Sequence, residues 1–423
     1  KRLARVWETK IPGSDVTAYF IEYNFYFGRP EVYDSPWGAF QDNDHRFVFF
    51  TRAAIDLCNY LDWMPDAFHC HDWTSALLPV YLNTHDKGQR VAQAATVLSL
   101  HNVQFQGTFY SGLVEWAHLP RAEVFHSDNL ESMGGINMLK GGIYNATKVV
   151  AVSPTYAKEI QTREGGFGLG DVLRYRLSDL SGIANGIDTQ VWDPTGDKDI
   201  PACYNADDFS GKAFCKRELQ RTFGLIADPA APIFGMESRL VHQKGLDLVL
   251  SLLPRLMTQT RIQIVIQGTG EQALQRALSA MAEKYPGRMG VRIGYNLAGA
   301  KLIYAGSDAL MMPSRFEPCG LSQMHAMRYG TLPVARATGG LLDTIIPCDP
   351  KTGEGTGFLF KEPTADALED AIQNACRIYY DEPKTWQRLQ RQAMAQDFNW
   401  TPSAKKYEAV YAAAVEKRTS QKR

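Results

Sequence analysis

Short apolar runs alternate with longer amphipathic segments along most of the chain, and this alternation predicts strands that are followed by helices. In the first half, the predicted strands cover residues 16–23, 67–71, 95–100 and 149–152, and the predicted helices cover residues 46–61, 75–83 and 154–161. In the second half, the predicted strands cover residues 233–237, 262–267, 289–293, 309–312 and 332–335, and helices begin at Leu246, Glu271, Ala298 and Leu321. The pattern is typical of parallel sheets covered by helices on both faces, so it predicts an α/β fold.

The length of 423 residues exceeds that of one ordinary domain, and two domains of about 200 residues each are the default expectation. Two prolines and several small residues in the segment 224–232 suit a linker. We therefore predict an N-terminal domain over residues 1–226, a C-terminal domain over residues 232–398, and a final helix and tail over residues 399–423. Two facing domains of this kind form a cleft, and the charged amphipathic helix of residues 402–415 can pack back across it.

Charge and cysteine content exclude several classes of function. The 45 Lys and Arg residues nearly balance the 46 Asp and Glu residues, so no overall field favours nucleic acid or an anionic membrane, and phosphate binding must be local. The seven cysteines are scattered without the close spacing of a metal site, which indicates reduced thiols in a cytosol-like compartment. No apolar run approaches the roughly 20 residues that cross a bilayer.

The segment 315–321, with the sequence RFEPCGL, places a carboxylate just before a turn that opens a helix. Free amides at a helix start carry partial positive charge and suit the phosphates of an activated donor. Glu317 then lies beside the group attached to those phosphates, where a carboxylate can accept hydrogen bonds from sugar hydroxyls. The alternative is a plain strand, turn and helix with Glu317 as a solvated acid. The segment therefore suggests a nucleotide-sugar site.

Two cations follow the predicted strand 233–237 in a single loop. Arg239 offers a fixed fork of donors and Lys244 a mobile ammonium, and together they can neutralise a diphosphate and stabilise it as it leaves. Two solvated loop cations are the alternative, but Gly245 permits a close approach of the backbone. Gly268 lies at the end of the next strand, where backbone amides near the same cleft are available to a ligand.

Histidines and an aspartate follow two strands of the first half. Metal binding by residues 69–72 (HCHD) is conceivable, but alternation along a strand sends His69 and His71 to one side and Cys70 to the other, and no second ligand cluster completes a shell. We therefore expect no metal site. Asp72 and His101, at successive strand ends, can instead reach one polar pocket. A structural histidine and a helix-capping aspartate remain the alternative.

Seven motifs occur in a fixed order along the chain. They are HDW at 71–73, HN at 101–102, NMLK at 137–140, VSPTY at 152–156, NGID at 185–188, SRL with QKG within 238–245, and RFEPCGL at 315–321 followed by RYGTLP at 328–333. With them, the chain resembles bacterial glycogen synthases and plant-type starch synthases. These enzymes transfer glucose from ADP-glucose to the non-reducing end of an α-1,4-glucan. The resemblance implies the GT-B fold, in which two Rossmann-like domains face one another across a cleft.

The resemblance also implies roles for individual residues. Residues matching Arg239 and Lys244 hold the diphosphate, Glu317 lies beside the transferred glucose, and His101 and Asp72 lie near the reaction centre. Tyr295 matches the aromatic residue that stacks on adenine, and Asn185 matches a glucose contact. The implied donor-binding set is Asn185, Gly268, Tyr295, Cys319, Gly320, Leu321 and Ser322, with the amides of Gly320 and Leu321 on the distal phosphate. The implied acceptor-binding residues are Asn137 and Lys140.

The family retains anomeric configuration and needs no metal cofactor, because protein cations take the place of one. The implied partners are ADP-glucose and an α-1,4-glucan (maltooligosaccharide, glycogen or starch), with no nucleic acid and no membrane. The implied location is the cytoplasm, or the plastid in a photosynthetic eukaryote. Two other hypotheses for the function remain. One is a GT-B transferase that uses UDP-glucose or a small acceptor, and the other is a glucan-binding protein that has lost catalysis.

One departure from the family lies at the start of the sequence. Its members carry a Lys-x-Gly-Gly loop after the first strand, and nothing like it precedes Val6. We therefore expect the sequence to lack the N-terminal segment of a longer protein.

Overall fold

The computed structural model describes residues 2–35 and 38–420. These residues form two compact units that exchange segments of the chain. The first unit contains the described residues up to 151 together with 157–182 and 405–420, and the second contains 152–156 and 183–404. The domain boundaries predicted from the sequence, at residues 226 and 232, stay a prediction.

The strands up to residue 182 are short and belong to the first unit. They are β1 (Arg5–Lys10), β2 (Thr17–Glu22), β3 (Asp34–Ser35), β4 (Gly38–Ala39), β5 (Ala67–His71), β6 (Ala95–Leu100), β7 (Thr108–Phe109), β8 (Glu131–Ser132), β9 (Gly135–Asn137), β10 (Lys148–Ala151) and β11 (Leu180–Gly182). The helices over the same stretch are α1 (Asn24–Phe27), α2 (Asn43–Tyr60), α3 (Asp72–Ser75), α4 (Leu77–Asn83), α5 (Leu113–Trp116), α6 (Arg121–Val124), α7 (Met138–Asn145), α8 (Pro154–Glu159) and α9 (Gly170–Tyr175).

A four-stranded parallel sheet in the order β11-β10-β6-β5 forms the centre of the first unit. Every residue of β6 is buried, as expected for a strand with neighbours on both sides and helices on its faces. The strand predicted for residues 16–23 is present as β2, but it pairs antiparallel with β1 and lies outside this sheet. The short link from residue 11 to residue 16 can join only antiparallel strands.

The second unit has a regular alternation of strands and helices. Its strands are β12 (Ile233–Glu237), β13 (Gln263–Gly268), β14 (Met289–Ile293), β15 (Ala309–Met312), β16 (Leu332–Arg336) and β17 (Phe358–Phe360). Its helices are α10 (Ser210–Thr222), α11 (Leu246–Gln259), α12 (Gln272–Lys284), α13 (Leu297–Gly306), α14 (Ser322–Arg328), α15 (Gly339–Thr344), α16 (Ala365–Asp381) and α17 (Pro383–Met394). Single 3-10 turns lie at Arg90–Gln93, Leu177–Asp179 and His242–Lys244.

The six strands of the second unit form one parallel sheet in the order β14-β13-β12-β15-β16-β17. Strands β13 and β15 are buried along their whole length. The strand order reverses between β12 and β15, and ligands of such sheets bind beyond the carboxyl ends of the strands at a reversal of this kind. The loops after β12 and β15 are therefore the first place to look for a site.

Helix α14 begins later than the sequence pattern predicts. The prediction starts the helix at Leu321, but the helix starts at Ser322. Gly320 has a φ of +69°, a left-handed conformation that cannot continue into an α-helix. The turn before α14 is therefore longer than expected.

The last helix, α18 (Thr401–Ser420), begins in the second unit and continues as part of the first. Its side chains bond to the first unit: Tyr411 Oη lies 2.8 Å from His69 Nδ1, and Lys417 Nζ lies 2.6 Å from Asp179 Oδ2. Among residues 2–35 and 38–420, no helix is both long and apolar enough to cross a membrane.

Candidate functional site

A half-buried lysine and a buried glutamate form an ion pair at the strand ends of the second unit. Lys244 Nζ lies 2.6 Å from Glu317 Oε2, and Ser314 Oγ donates to the same oxygen over 2.8 Å. Glu317 is only 5% exposed. A buried carboxylate needs both a cation and further hydrogen bonds to offset its loss of water, and this one has both. The sequence placed the two residues in one site, and the structure brings them into contact.

Gly245 lets the Lys244 loop approach the end of β15. Its φ is +69°, and a Cβ at this position would lie 2.1 Å from the carbonyl oxygen of Pro313. That distance is far below any van der Waals contact, so only glycine fits here. The close approach carries Lys244 to the loop that contains Glu317.

Hydrogen bonds join the loop after β12 to the loop after β15. Arg239 Nη2 donates to Gln243 Oε1 over 3.1 Å, and Gln243 Nε2 donates to the carbonyl of Phe316 over 3.1 Å. The amide of Arg315 donates to the carbonyl of Gln243 over 2.8 Å. Arg239 itself is exposed. An exposed guanidinium and a half-buried ammonium thus lie on two loops that are joined by hydrogen bonds.

Gly268, at the end of β13, packs directly against the Arg239 loop. A Cβ on Gly268 would lie 1.9 Å from the carbonyl oxygen of Ser238. The amide of Ser238 donates to the carbonyl of Gln267 over 3.2 Å, and the amide of Leu240 donates to the carbonyl of Thr269 over 2.8 Å. The predicted donor residue Gly268 therefore lies beside the Arg239 loop, and its part in donor binding stays a prediction.

The predicted donor residues 319–322 follow Glu317 in the turn before α14. Cys319 is buried, and burial raises the pKa of its thiol to about 11 although the backbone of Asn185 hydrogen-bonds to it. This contact brings Asn185 to the Glu317 loop. Leu321 is 43% exposed, whereas Ser322 is the half-buried first residue of α14.

Tyr295 lies in the loop between β14 and α13, next to Gly294, whose amide donates to the carbonyl of Gly268 over 2.8 Å. Its side chain is 75% exposed, so a planar ligand can reach its ring. The stacking role that the resemblance implies for Tyr295 stays a prediction.

One acidic residue near these loops was not predicted from the sequence. Glu237, the last residue of β12, accepts a hydrogen bond of 3.0 Å from the hydroxyl of Tyr304 on α13. Burial raises the pKa of Glu237, and the charge of Lys244 lies close enough to oppose that shift. The available signal was a carboxylate at a strand end, two residues before Arg239.

In the first unit, Asp72 and His101 meet beyond the ends of β5 and β6. Asp72 Oδ1 accepts the amide of His101 over 2.7 Å and that of Asn102 over 3.4 Å. Asp72 has a φ of +52°, an unusual conformation for a residue with a side chain, which is typical of functional sites and of tight turns. Burial raises the pKa of its carboxyl group to about 6, against these hydrogen bonds.

Three histidine rings follow one another at the same strand ends. His71 Nδ1 lies 2.9 Å from His101 Nε2, and the rings of His69 and His71 are 4.3 Å apart. Burial lowers the pKa of all three, that of His69 to about 4. Their rings are therefore neutral at pH 7, and one imidazole nitrogen donates to the other between His71 and His101. His69 and His71 share a side, as predicted, while Cys70 is buried.

The predicted acceptor residues Asn137 and Lys140 have internal partners. Asn137 caps α7 by accepting the Lys140 amide over 2.9 Å, and it donates to Gln106 Oε1 over 2.6 Å. Lys140 Nζ donates to the carbonyl of Glu131 over 2.6 Å, and burial lowers its pKa. Asn137 is 2% exposed, so in this structure it organises the start of α7. Contact with an acceptor stays a prediction for both.

Within the described part of the chain, no three His, Cys, Asp or Glu side chains come together so as to hold a metal ion. This includes His69, His71 and Asp72.

Two family models match the chain, one for each half. The model described as the starch synthase catalytic domain matches residues 2–175, and that of the group 1 glycosyl transferases matches residues 223–393. Glycogen synthase 1 of Geobacter metallireducens is 44% identical over 99% of this chain and 83% of its own length. Glycogen synthase of Thermotoga maritima is 42% identical over 97% of this chain and 84% of its own length.

A solved structure shows the same architecture. The catalytic domain of starch synthase IV from Arabidopsis thaliana, bound to ADP and acarbose, matches 98% of this chain and 85% of its own with a TM-score of 0.90 and 33% identity. Relatives that match nearly the full chain at this identity share a fold and a family. The chain therefore belongs to the family of glycogen and starch synthases, which are glucosyltransferases with the GT-B fold.

Proposed function

We propose that the chain transfers glucose from ADP-glucose to the non-reducing end of an α-1,4-glucan, with retention of the anomeric configuration. The observation that carries the proposal is the ion pair of Lys244 with the buried Glu317 at the carboxyl ends of a parallel sheet. Such a pair places a cation that can bind phosphate next to a carboxylate that can accept hydrogen bonds from sugar hydroxyls. The family of the chain, and the ADP in the similar starch synthase structure, support a donor of this chemistry.

In this proposal the cations of the second unit bind the diphosphate. Arg239 is exposed on its loop and can present its fork to two phosphate oxygens, while Lys244 places a point charge deeper in the site. The backbone amides of Gly320 and Leu321 contribute in the turn before α14. As the bond to phosphate breaks, negative charge grows on the departing oxygen, and these fixed groups stabilise it more than they stabilise the intact donor.

Glu317 orients the glucose in this account. Lys244 and Ser314 fix one of its carboxylate oxygens, and the other oxygen is left to accept from sugar hydroxyls. The neutral ring of His101 serves as a second hydrogen-bonding group near the sugar, held in place by His71. Asp72 fixes the backbone at His101 and carries its charge near the reaction centre.

The chemical step is a displacement on one face of the sugar. The bond between the anomeric carbon and the phosphate oxygen breaks, and a bond from that carbon to the acceptor oxygen forms on the same side. The acceptor hydroxyl gives its proton to the departing phosphate oxygen, so ADP leaves with that proton. We propose that no metal cofactor takes part, because Arg239 and Lys244 provide the positive charge.

We further propose that the protein works in a reducing compartment, the cytoplasm or a plastid. All seven cysteines are free thiols, which is typical of proteins kept in such compartments.

The test is turnover of ADP-glucose with a maltooligosaccharide primer, compared with turnover of UDP-glucose. We expect ADP-glucose to be used far better. Glu317→Gln and Lys244→Met should each lower kcat by about 100-fold or more, because each removes a group that acts on the transition state. Glu283→Gln, on the exposed face of α12, is the matched control and should keep full turnover.

Each single variant leaves a buried charge without its partner, which can cost about 3–5 kcal/mol of folding free energy. The double variant Lys244→Met with Glu317→Gln removes both charges and should recover much of that stability without recovering turnover. Full turnover in a folded single variant, or a preference for UDP-glucose, would contradict the proposal.

A further inference from the structure

Glu237 is a carboxylate of the second unit that the proposed chemistry leaves without a task. It is the last residue of β12, where Gln267 of β13 is its strand neighbour. Its side chain is half-buried and accepts the 3.0 Å hydrogen bond from Tyr304, which is itself only 2% exposed. Burial raises its pKa, so its charged form is disfavoured before any ligand arrives.

The groups that face Glu237 come from several elements. Lys244 is the cation that acts on it, from the 3-10 turn after β12, and Tyr304 faces it from α13. The Tyr304 hydroxyl also hydrogen-bonds Ser322, and the ring of His325 on α14 lies 5.7 Å from the Tyr304 ring. Arg239 follows Glu237 by two positions along the chain.

Lys244 contacts one acid, and its loop leaves β12 directly after a second, Glu237. Its ammonium contacts Glu317 directly at 2.6 Å and also acts on Glu237. With both acids ionised, Glu237 and Glu317 bring two negative charges to the loops that carry the two cations Arg239 and Lys244. A diphosphate that binds to these cations adds further negative charge and competes with the acids for Lys244, which favours protonation of one acid.

We propose that Glu237 is a positioning residue of the donor site and takes up one proton from solvent when a nucleoside diphosphate binds beside Lys244. This inference rests on the proposed function, which places the donor diphosphate there. Glu237 is the acid that yields, because Glu317 has a direct cation and the Ser314 hydroxyl, whereas the direct partner of Glu237 is a neutral phenol. The protonated carboxyl still accepts from Tyr304 and so keeps Tyr304 and Ser322 in place.

The sign of the pH dependence follows from this exchange. At a pH above the pKa of Glu237 in the free protein, the ionised carboxylate competes for Lys244 and repels the phosphates. Affinity for ADP therefore falls as the pH rises through that pKa. The Tyr304 hydrogen bond favours the ionised form, so removing it moves the dependence to higher pH.

The experiment is calorimetric titration of ADP into the full chain, in pairs of buffers with different ionisation enthalpies, over a range of pH. The difference between buffers gives the number of protons taken up. We expect uptake by the wild type, and loss of the Glu237 contribution in Glu237→Gln, which keeps an acceptor for Tyr304 but cannot titrate. Protonation of ADP itself is common to all variants and cancels in this comparison. Glu283→Gln is the matched control and should behave as the wild type.

Tyr304→Phe is the second variant, and it should shift the uptake to higher pH. In turnover assays the pH dependence of the donor KM should flatten in Glu237→Gln, a change that a purely structural role would not produce. Equal proton uptake by Glu237→Gln and the wild type, or an unshifted profile in Tyr304→Phe, would overturn the inference and leave the proposed function standing. Failure of the wild type to bind ADP would instead overturn the proposed function.

Discussion

At the scale of single residues, burial decides which ionisable groups of the protein carry charge. The three histidines at the ends of β5 and β6 are neutral, so His101 offers a hydrogen bond without repelling a cation or attracting phosphate. In the second unit, the buried Glu317 forms an ion pair with Lys244, whereas the direct hydrogen-bond partner of Glu237 is the phenol of Tyr304. The strand-end groups of the two units therefore differ in charge, with neutral rings in the first and an ion pair in the second.

His325 provides a residue-scale prediction of acid sensitivity. Its ring stacks on that of Trp192 with 3.8 Å between centroids, and burial lowers its pKa to about 4. A lowered pKa means that protonation is disfavoured in the folded state, so stability is lost as the pH falls from about 6.5 to about 4. His325→Phe keeps the stacked ring and removes this titration.

We expect His325→Phe to flatten the fall in unfolding free energy between pH 7 and pH 4.5, by about 1–2 kcal/mol. Denaturant unfolding at the two pH values measures it. An equal acid-induced loss in the variant and the wild type would contradict the assigned cause.

Some of these residues were predicted from the sequence, and others were not. Glu317 and Lys244 were found because each lies just after an apolar strand, where parallel sheets bind ligands. The Glu237–Tyr304 and His71–His101 contacts were missed, because the partners are 67 and 30 residues apart and no local pattern marks them. Contacts of this kind depend on which strand ends lie side by side.

At the scale of elements, glycines set how closely the strand-end loops approach one another. Gly245 and Gly268 each lie where a Cβ would overlap a carbonyl oxygen, at 2.1 Å and 1.9 Å respectively. The turn at Gly320 delays the start of α14 to Ser322, which the apolar pattern did not reveal. Helical periodicity marks a face of a helix better than it marks the first residue.

Gly245→Ala tests the approach of the Lys244 loop to β15. Both the positive φ and the overlap with Pro313 should displace the loop, lowering stability by about 2–4 kcal/mol and weakening ADP binding at least tenfold. Gly224→Ala is the matched control, because Gly224 has a φ of +67° but nothing within 4 Å of its added Cβ.

The control variant should lose only about 1 kcal/mol, from backbone strain, and bind ADP normally. Thermal unfolding and ADP titration compare the two variants. Equal effects in both would show that the overlap with Pro313 has no part in placing Lys244.

At the scale of the whole molecule, the alternation of strands and helices predicted both parallel sheets, because fully buried strands stand out as short apolar runs. Residues 233–237 and 309–312 were predicted with the bounds that the structure shows. Strands β7, β8 and β9 have only two or three residues each, and β17 has three, which is too short for any periodic signal. Strand β2 was predicted, but its antiparallel partner β1 was missed, because every residue of β1 is exposed and the strand lacks a buried face.

Helix α18 returns the chain to the first unit, and its contact with Asp179 gives a prediction about stability. Burial alone would raise the pKa of Asp179, but hydrogen bonds from Lys417, Lys148 and Arg176 lower it to about 2. A lowered acid pKa means that this stabilisation is present above pH 4 and lost as the pH falls towards 2. Lys417→Met should therefore destabilise the protein by about 1–2 kcal/mol at pH 7.

Lys405→Met, at an exposed position of the same helix, is the control and should change stability by less than about 0.5 kcal/mol. The difference between the two variants should shrink as Asp179 becomes protonated. Unfolding measured at pH 7 and near pH 2.5 tests this, and a difference that is constant with pH would exclude Asp179 as its origin.

The most direct test of the central claim is the structure of the product formed from ADP-glucose labelled with carbon-13 in its glucose. The labelled donor is incubated with a maltooligosaccharide, and the new linkage is identified by nuclear magnetic resonance. The account predicts a single labelled glucose in α-1,4 linkage at the non-reducing end, with one ADP released per glucose added. A β-linked product, or free labelled glucose in place of an extended chain, would contradict it.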